Sequence, residues 1–274
     1  MQKVQRSHDY VEVLGLKTFY IEAGAGVPLV LCHGGSPGTC SSVNWKLNIE
    51  PLAAAGFEVY AFDQPGFGLT DNPEDYSLDF RFAHARAFVD LMKFERYHVM
   101  GNSMGAYLAA RLALEDRRAK RLVLVSSSAL APKGSPESQA KSKKHADELR
   151  AYTPSLENMR RMTQGTLFHQ ELVTEELVRE RYEMSTGKNY DAQLARASAA
   201  KSKSLDDELA ALKSTTLILW GRNDHGTSLD QATLLFEKIP KAELHVFDQC
   251  AHWVQWDHAD RFNKIVTEFL SVHE

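Results

Sequence analysis

Gly101-Asn102-Ser103-Met104-Gly105 reads Gly-x-Ser-x-Gly, and its setting decides the fold. It follows the apolar run Tyr97-His98-Val99-Met100 and opens an Ala/Leu-rich run from Ala106 to Leu114. A serine on a sharp strand-to-helix turn is a nucleophile elbow. Glycines flank it because the turn is strained and the helix must pack close to the strand. The five residues alone are a weak signal, so the rest of the chain has to support them.

Short Val/Ile/Leu-rich runs recur at 29–32, 58–62, 98–100, 122–125, 217–220 and 244–247. Continuous apolar runs of this length suit a parallel sheet covered on both faces. Helical patterns at 49–55, 78–92, 106–115 and 230–238 lie between most of them. The alternation predicts an α/β fold, a mostly parallel, doubly wound sheet. Runs 10–13 and 17–22, joined at Leu14-Gly15-Leu16, predict an antiparallel hairpin on its edge. From 131 to 212 helical periodicity dominates and no strand pattern occurs. One crossover rarely needs so many residues. The expected organisation is therefore a core of residues 1–130 and 213–274 with an inserted helical cap at 131–212.

The chain has 274 residues, 43% hydrophobic and 25% charged, as in an ordinary soluble globular protein. A net charge of −4 gives no basic footprint for nucleic acid. Met1 to Arg6 lacks the apolar stretch of a signal peptide, and no run is long enough to span a bilayer. Cys32, Cys40 and Cys250 lack metal-like spacing, and a reducing cytoplasm with inert thiols is the expected setting. No metal site, phosphate loop or dinucleotide fingerprint is expected, hence no cofactor.

A serine hydroxyl needs a base, usually histidine, held in one tautomer by a carboxylate. Both partners should follow late strands, because loops at strand C-termini line the site in open α/β sheets. Asp224 follows the run 217–220, and His252 follows 244–247. The loop Ser126-Ser127-Ser128 offers no carboxylate, and Asp230 reads as a helix N-cap. His245 lies within a strand and His258 on a helix. His33-Gly34-Gly35-Ser36-Pro37-Gly38, after the first buried strand, is small enough for close backbone approach. Gly35 and Met104 N–H groups are the expected oxyanion donors.

These pieces resemble the α/β-hydrolase fold and, more closely, the meta-cleavage product hydrolases. Those enzymes hydrolyse a carbon–carbon bond in 2-hydroxy-6-oxohexa-2,4-dienoates, giving 2-hydroxypenta-2,4-dienoate and a carboxylic acid in aromatic catabolism. The resemblance rests on the elbow, the 33–38 loop, Asp63-Gln64-Pro65-Gly66-Phe67-Gly68, Trp220-Gly221-Arg222-Asn223-Asp224, Tyr152 to Asn158, and the run 244–263 with His252-Trp253-Val254-Gln255-Trp256-Asp257. It implies a Ser103, Asp224, His252 triad and oxyanion donors Gly35 and Met104. It also implies that Gly34, Asn44, Asn102, Arg181 and Trp253 surround the dienoate, with Asn44, Asn102 and Arg181 at its carboxylate end. A homo-oligomer, dimeric or higher, is a further implication. Ala251 and Ala106 stand where the group commonly has glycine.

Several alternatives stay open. Glu175 to Glu183 could be a solvated charged face, Asn44 a turn cap and Trp253 plain core. The polar segment Gly134 to Leu149 reads as a solvated outer helix, or else as part of a smaller or more open acyl pocket. An esterase or lactonase could use the same triad. A ligand receptor on this scaffold is a third reading, which turnover would separate.

Overall fold

A computed structural model describes residues 6–127, 129–130, 133–199 and 203–272. Ser128 and the breaker-rich start at Ala131-Pro132 lie outside the described residues, as do residues 1–5. Eight strands form one sheet: β1 (Arg6–Val13), β2 (Leu16–Gly24), β3 (Val27–Cys32), β4 (Phe57–Phe62), β5 (Tyr97–Asn102), β6 (Ala119–Val125), β7 (Thr215–Gly221) and β8 (Ala242–Phe247). Their order is β1-β2-β4-β3-β5-β6-β7-β8. The hairpin β1–β2 pairs antiparallel at one edge, β2 pairs antiparallel with β4, and all later pairs are parallel. From β3 the chain turns to β4 on one side and then to β5 on the other. That reversal is a switch point at the strand C-termini, where open α/β sheets place ligands.

Alternation within the strands builds the two layers. Val99, Leu122, Leu124, Ile218 and Trp220 face one core, with α3 (Leu78–Leu91), α4 (Met104–Glu115) and α9 (Leu229–Lys238). Met100, Val123, Val125, Leu217 and Leu219 face the other, with α2 (Ile49–Ala54) and α11 (Ala259–Ser271). Each of these fully buried side chains contributes roughly 1.5–3 kcal/mol of apolar transfer. The short helices α1 (Ser41–Asn44) and α10 (Val254–Asp257) complete the core elements. Between β6 and β7 lie α5 (Pro136–Arg150), α6 (Leu156–Thr166), α7 (Glu175–Glu183) and α8 (Lys188–Ala197), with no strand among the described residues there. Leu205, Leu209 and Leu212, after α8, join the first core.

Caps set the helix starts. Ser135, Ser155 and Thr174 side chains accept N–H bonds at the N-termini of α5, α6 and α7. Asp230 is not the α9 cap, which is a correction to the sequence reading. Ser228 holds that position, and its N–H donates to Gln231 Oε1 at 3.1 Å. Asp230 sits in the first turn and accepts from Ser135 N–H at 2.9 Å.

Among the imidazoles that burial holds neutral are His33 and His84. Burial pushes His33 down to about 3 and His84 down to about 4. Both lie below the unfolded value of about 6.5, so the unfolded chain binds more protons in acid. Their contribution is complete above about pH 6.5 and is lost as pH falls toward the folded values. Between pH 7 and pH 5 each is expected to remove about 2 kcal/mol of stability. Urea unfolding at the two pH values checks this; an unchanged midpoint contradicts it.

Candidate active site

The elbow is assembled by close backbone packing. A Cβ on Gly101 would lie 2.2 Å from Gly105 O, and one on Gly105 would lie 2.1 Å from Cys32 O. Only glycines let α4 start this near β3 and β5. Ser103 then adopts φ 55 and ψ −120, a strained conformation for a side-chain-bearing residue. Its N–H donates to Val125 O at 2.8 Å, and its carbonyl accepts from Ser127 Oγ at 2.7 Å. Ser103 retains partial exposure while the strand behind it is buried. Its Oγ makes no hydrogen bond to His252 or to any other described residue.

His252 and Asp224 meet directly. His252 Nδ1 and Asp224 Oδ2 are 2.7 Å apart. Asp224 also accepts from Gly226 N–H at 2.8 Å, from Thr227 N–H at 3.0 Å and from the Thr227 hydroxyl. Burial alone would raise this carboxyl, but His252 and these donors outweigh it and hold it below its ordinary value. An ionised acceptor at Nδ1 leaves Nε2 as the unprotonated, basic nitrogen. The backbone N–H groups of His252 and Trp253 donate to Thr166 O at the end of α6, at 3.1 and 3.3 Å. Asp257 accepts from Ala251, Phe168 and His169 N–H groups and ties the same loop to the segment after α6.

A second loop faces the elbow. His33 Nε2 accepts from Gln64 N–H at 2.9 Å, so Nδ1 is the protonated nitrogen and donates to Gly34 O at 2.7 Å. Gly34 and Gly35 lie against Ser103 and Met104: a Cβ on Gly34 would be 3.4 Å from Ser103 Cβ, and one on Gly35 3.3 Å from Met104 Cβ. Gly35 N–H has no acceptor among the described residues. Met104 is the first residue of α4, so its N–H lacks an intrahelical acceptor. Both expected donors therefore remain free beside the serine.

Asn44, Asn102 and Arg181 are all fully buried. Asn44 Oδ1 accepts from Gly34 N–H at 2.8 Å, and Asn44 Nδ2 donates to Asn102 Oδ1 at 3.2 Å. Arg181, in the last turn of α7, is no solvated face. Its Nη1 donates to Thr163 Oγ1 at 3.1 Å and its Nη2 to Pro37 O at 3.3 Å, while Nε has no partner. Its guanidinium lies 4.6 Å from the centre of the Trp253 ring. No carboxylate pairs with it among the described residues, and burial lowers it to about 10. Trp253 is thus buried core and cation platform at once.

A cavity of about 740 Å³ opens over His252, Asp224 and Ser36. Lys141, Lys144 and His145 of α5 line it, which corrects the reading of that segment as a purely solvated outer helix. The His145 ring centroid is 5.9 Å from that of His252. Sequence reasoning missed His145, whose polar surroundings gave no apolar face to place.

A nucleophile elbow on a mostly parallel sheet, with a His–Asp pair after the last two strands, defines an α/β-hydrolase. Residues 27–259 match the α/β hydrolase fold family. The chain belongs to that family and, within it, to the meta-cleavage product hydrolases. It is 35% identical over 263 residues to a 2-hydroxy-6-oxo-6-phenylhexa-2,4-dienoate hydrolase of Comamonas testosteroni, covering 92% of this chain and 90% of that one. It is 33% identical over 266 residues to a 2-hydroxy-6-oxononadienedioate/2-hydroxy-6-oxononatrienedioate hydrolase of Pseudomonas putida, with 94% and 92% covered. The meta-cleavage product hydrolase CumD of Pseudomonas fluorescens IP01 superposes with a TM-score of 0.84 at 34% identity, covering 96% of this chain and 97% of that one.

Proposed function

We propose that this protein hydrolyses the carbon–carbon bond next to the 6-oxo group of 2-hydroxy-6-oxohexa-2,4-dienoate-type ring-fission products. The observation that carries this reading is Arg181, a fully buried guanidinium with no counter-charge beside the candidate triad. Burying an unpaired cation is costly. A substrate carboxylate supplies the missing partner through two parallel hydrogen bonds. A simple esterase has no use for such a group.

The chemistry runs from that anchor. Arg181, with Asn44 and Asn102, holds the carboxylate and the adjacent 2-oxygen. The enol first becomes a ketone, which gives the breaking bond an electron sink; His252 Nε2 moves that proton. The Ser103 hydroxyl gives its proton to His252 and attacks the 6-oxo carbon, whose oxygen enters the Gly35/Met104 donors. The bond to carbon 5 breaks, its electron pair runs through the chain to the 2-oxygen, His252 returns the serine's proton to that oxygen to give the dienol carboxylate, and an acyl group stays on Ser103. Water, activated by His252, releases it as a carboxylic acid. Trp253 and Gly34 wall the bound dienoate.

Helices α5 to α8 form a cap over the site, with residues 131–212 as the inserted segment and Leu205 to Leu212 seated on the core. Three buried free thiols support a reducing, cytoplasmic setting, although only the lack of a long apolar helix among the described residues bears on membranes. A dimer or higher homo-oligomer belongs to the same proposal, and light scattering reads it directly.

Asp224→Asn is expected to lower kcat by about 10⁴-fold, because an amide at this position stabilises the wrong His252 tautomer. The Arg181 argument is tested by substrate rather than by mutation. The free dienoate and its carbon-1 methyl ester are compared; the ester should lose at least about 100-fold in kcat/KM. Equal rates would remove the basis for the assignment.

A further inference from the structure

The cap contributes an imidazole beside the triad. His145, on α5, lines the cavity together with His252 and Asp224. Lys141, Lys143 and Lys144 on the same helix are exposed, whereas His145 is half-buried. Its ring lies against Gly226: a Cβ there would be 2.8 Å from His145 Cγ and Cδ2 and 3.1 Å from its Nε2. A side chain at 226 would displace the imidazole. One turn earlier on α5, the Ser142 hydroxyl donates to Gly226 O at 3.3 Å. Gly226 N–H in turn donates to Asp224 Oδ1 at 2.8 Å. His145 is therefore seated on the loop that carries the triad carboxylate.

No hydrogen bond joins His145 to His252. Their ring centroids are 5.9 Å apart, with the planes inclined at 53°. An imidazole nitrogen sits about 1.2 Å from its ring centre, so nitrogens of this pair are at least about 3.5 Å apart, too far for a direct bond and within reach of one bridging water. Neither His145 nitrogen, nor His252 Nε2, bonds to a described residue. A neutral imidazole always offers one unprotonated nitrogen. Burial, and after it the charge of His252, hold His145 below the ordinary imidazole value, against the pull of Asp224 and Glu148. At neutral pH it is an acceptor.

We propose that His145 is a positioning residue for the second half of the reaction, holding the hydrolytic water between its own nitrogen and His252 Nε2. The two O–H bonds of the water donate one to each imidazole, which leaves an oxygen lone pair for the acyl carbon. The water oxygen bonds to that carbon and gives one proton to His252. His252 passes this proton to Ser103 Oγ as the ester bond breaks and the carboxylic acid leaves. The second proton stays on oxygen as the hydroxyl of the acid, so His145 neither gains nor loses one. This rests on the acyl-enzyme reading above.

The test is the partition of the acyl group between water and methanol at one fixed methanol concentration. Methanol has a single O–H, which His252 takes, and a methyl group where water offers its second proton to His145. Wild-type protein should therefore favour water. His145→Phe and His145→Leu remove the acceptor and give the methyl group an apolar contact. In both, the ratio of methyl ester to acid should rise about fivefold or more, the weight of one neutral hydrogen bond. His145→Gln keeps an amide oxygen as acceptor and should stay near the wild-type ratio. The ratio compares two fates of one intermediate, so a general loss of activity does not move it. Bleaching of the dienoate shows that a variant is folded. An unchanged ratio in the apolar variants, including no methyl ester from any of the proteins, overturns the role. So does a rise of equal size in His145→Gln. If wild-type protein bleaches no dienoate, the dienoate reading fails instead.

Discussion

Ser103→Ala lowers turnover of a dienoate by roughly 10⁴-fold or more while leaving the coloured substrate bound. Alanine keeps the Cβ, so the elbow at φ 55 and its bond from Ser103 N–H to Val125 O are undisturbed. What disappears is the oxygen that forms the acyl-enzyme. Arg181, Gly35 and Met104 remain to hold the substrate. The check is single-turnover absorbance with excess enzyme. A variant that retains a tenth of the wild-type rate would mean that His252 activates water against the ketone and that Ser103 is not the nucleophile. Ser103 Oγ makes no hydrogen bond to a described residue, and catalytic Ser–His contacts commonly tighten only in the substrate complex, so the test is best read with substrate bound.

Arg181→Met separates activity from stability. Methionine removes the charge while keeping much of the apolar stem. The loss of a charge-assisted grip on carbon 1 should lower kcat/KM by about 10²–10³-fold. Stability should not follow. The guanidinium is fully buried, without a carboxylate, with Nε unsatisfied. Taking away such a charge is neutral or stabilising where apolar surroundings can close over the site. The Trp253 ring, 4.6 Å from the guanidinium, supplies apolar surface there, and the hydroxyl of Thr163 can turn to another partner. The thermal midpoint of the ligand-free variant should equal or exceed that of wild type. A large fall in the midpoint, with activity lost only in proportion, would make Arg181 a structural residue.

The parts of this fold that the sequence announced are those with a single physical explanation. β3 to β7 are mostly buried on both faces, so each carries a continuous apolar run, such as Leu29–Cys32, Leu122–Val125 and Leu217–Trp220, that stands out. β1 did not stand out over its full length, because almost all of Arg6–Val13 is exposed and carries no alternation. Asp224 and His252 were legible from their place after late strands, since topology, not local pattern, puts them together. Arg181 was ambiguous. It sits among Glu175, Glu176, Glu180 and Glu183, and only the packing of α7 on α6 decides which charge turns inward.

The central claim is carbon–carbon hydrolysis of a carboxylate-anchored dienoate. The measurement that meets it most directly is bleaching of purified 2-hydroxy-6-oxohexa-2,4-dienoates by wild-type protein, with the products identified and simple esters run alongside. The predicted result is rapid bleaching with one 2-hydroxypenta-2,4-dienoate and one carboxylic acid formed per substrate consumed. Persistent colour with every dienoate, beside brisk cleavage of simple esters or lactones, would contradict it and leave a serine esterase on this fold.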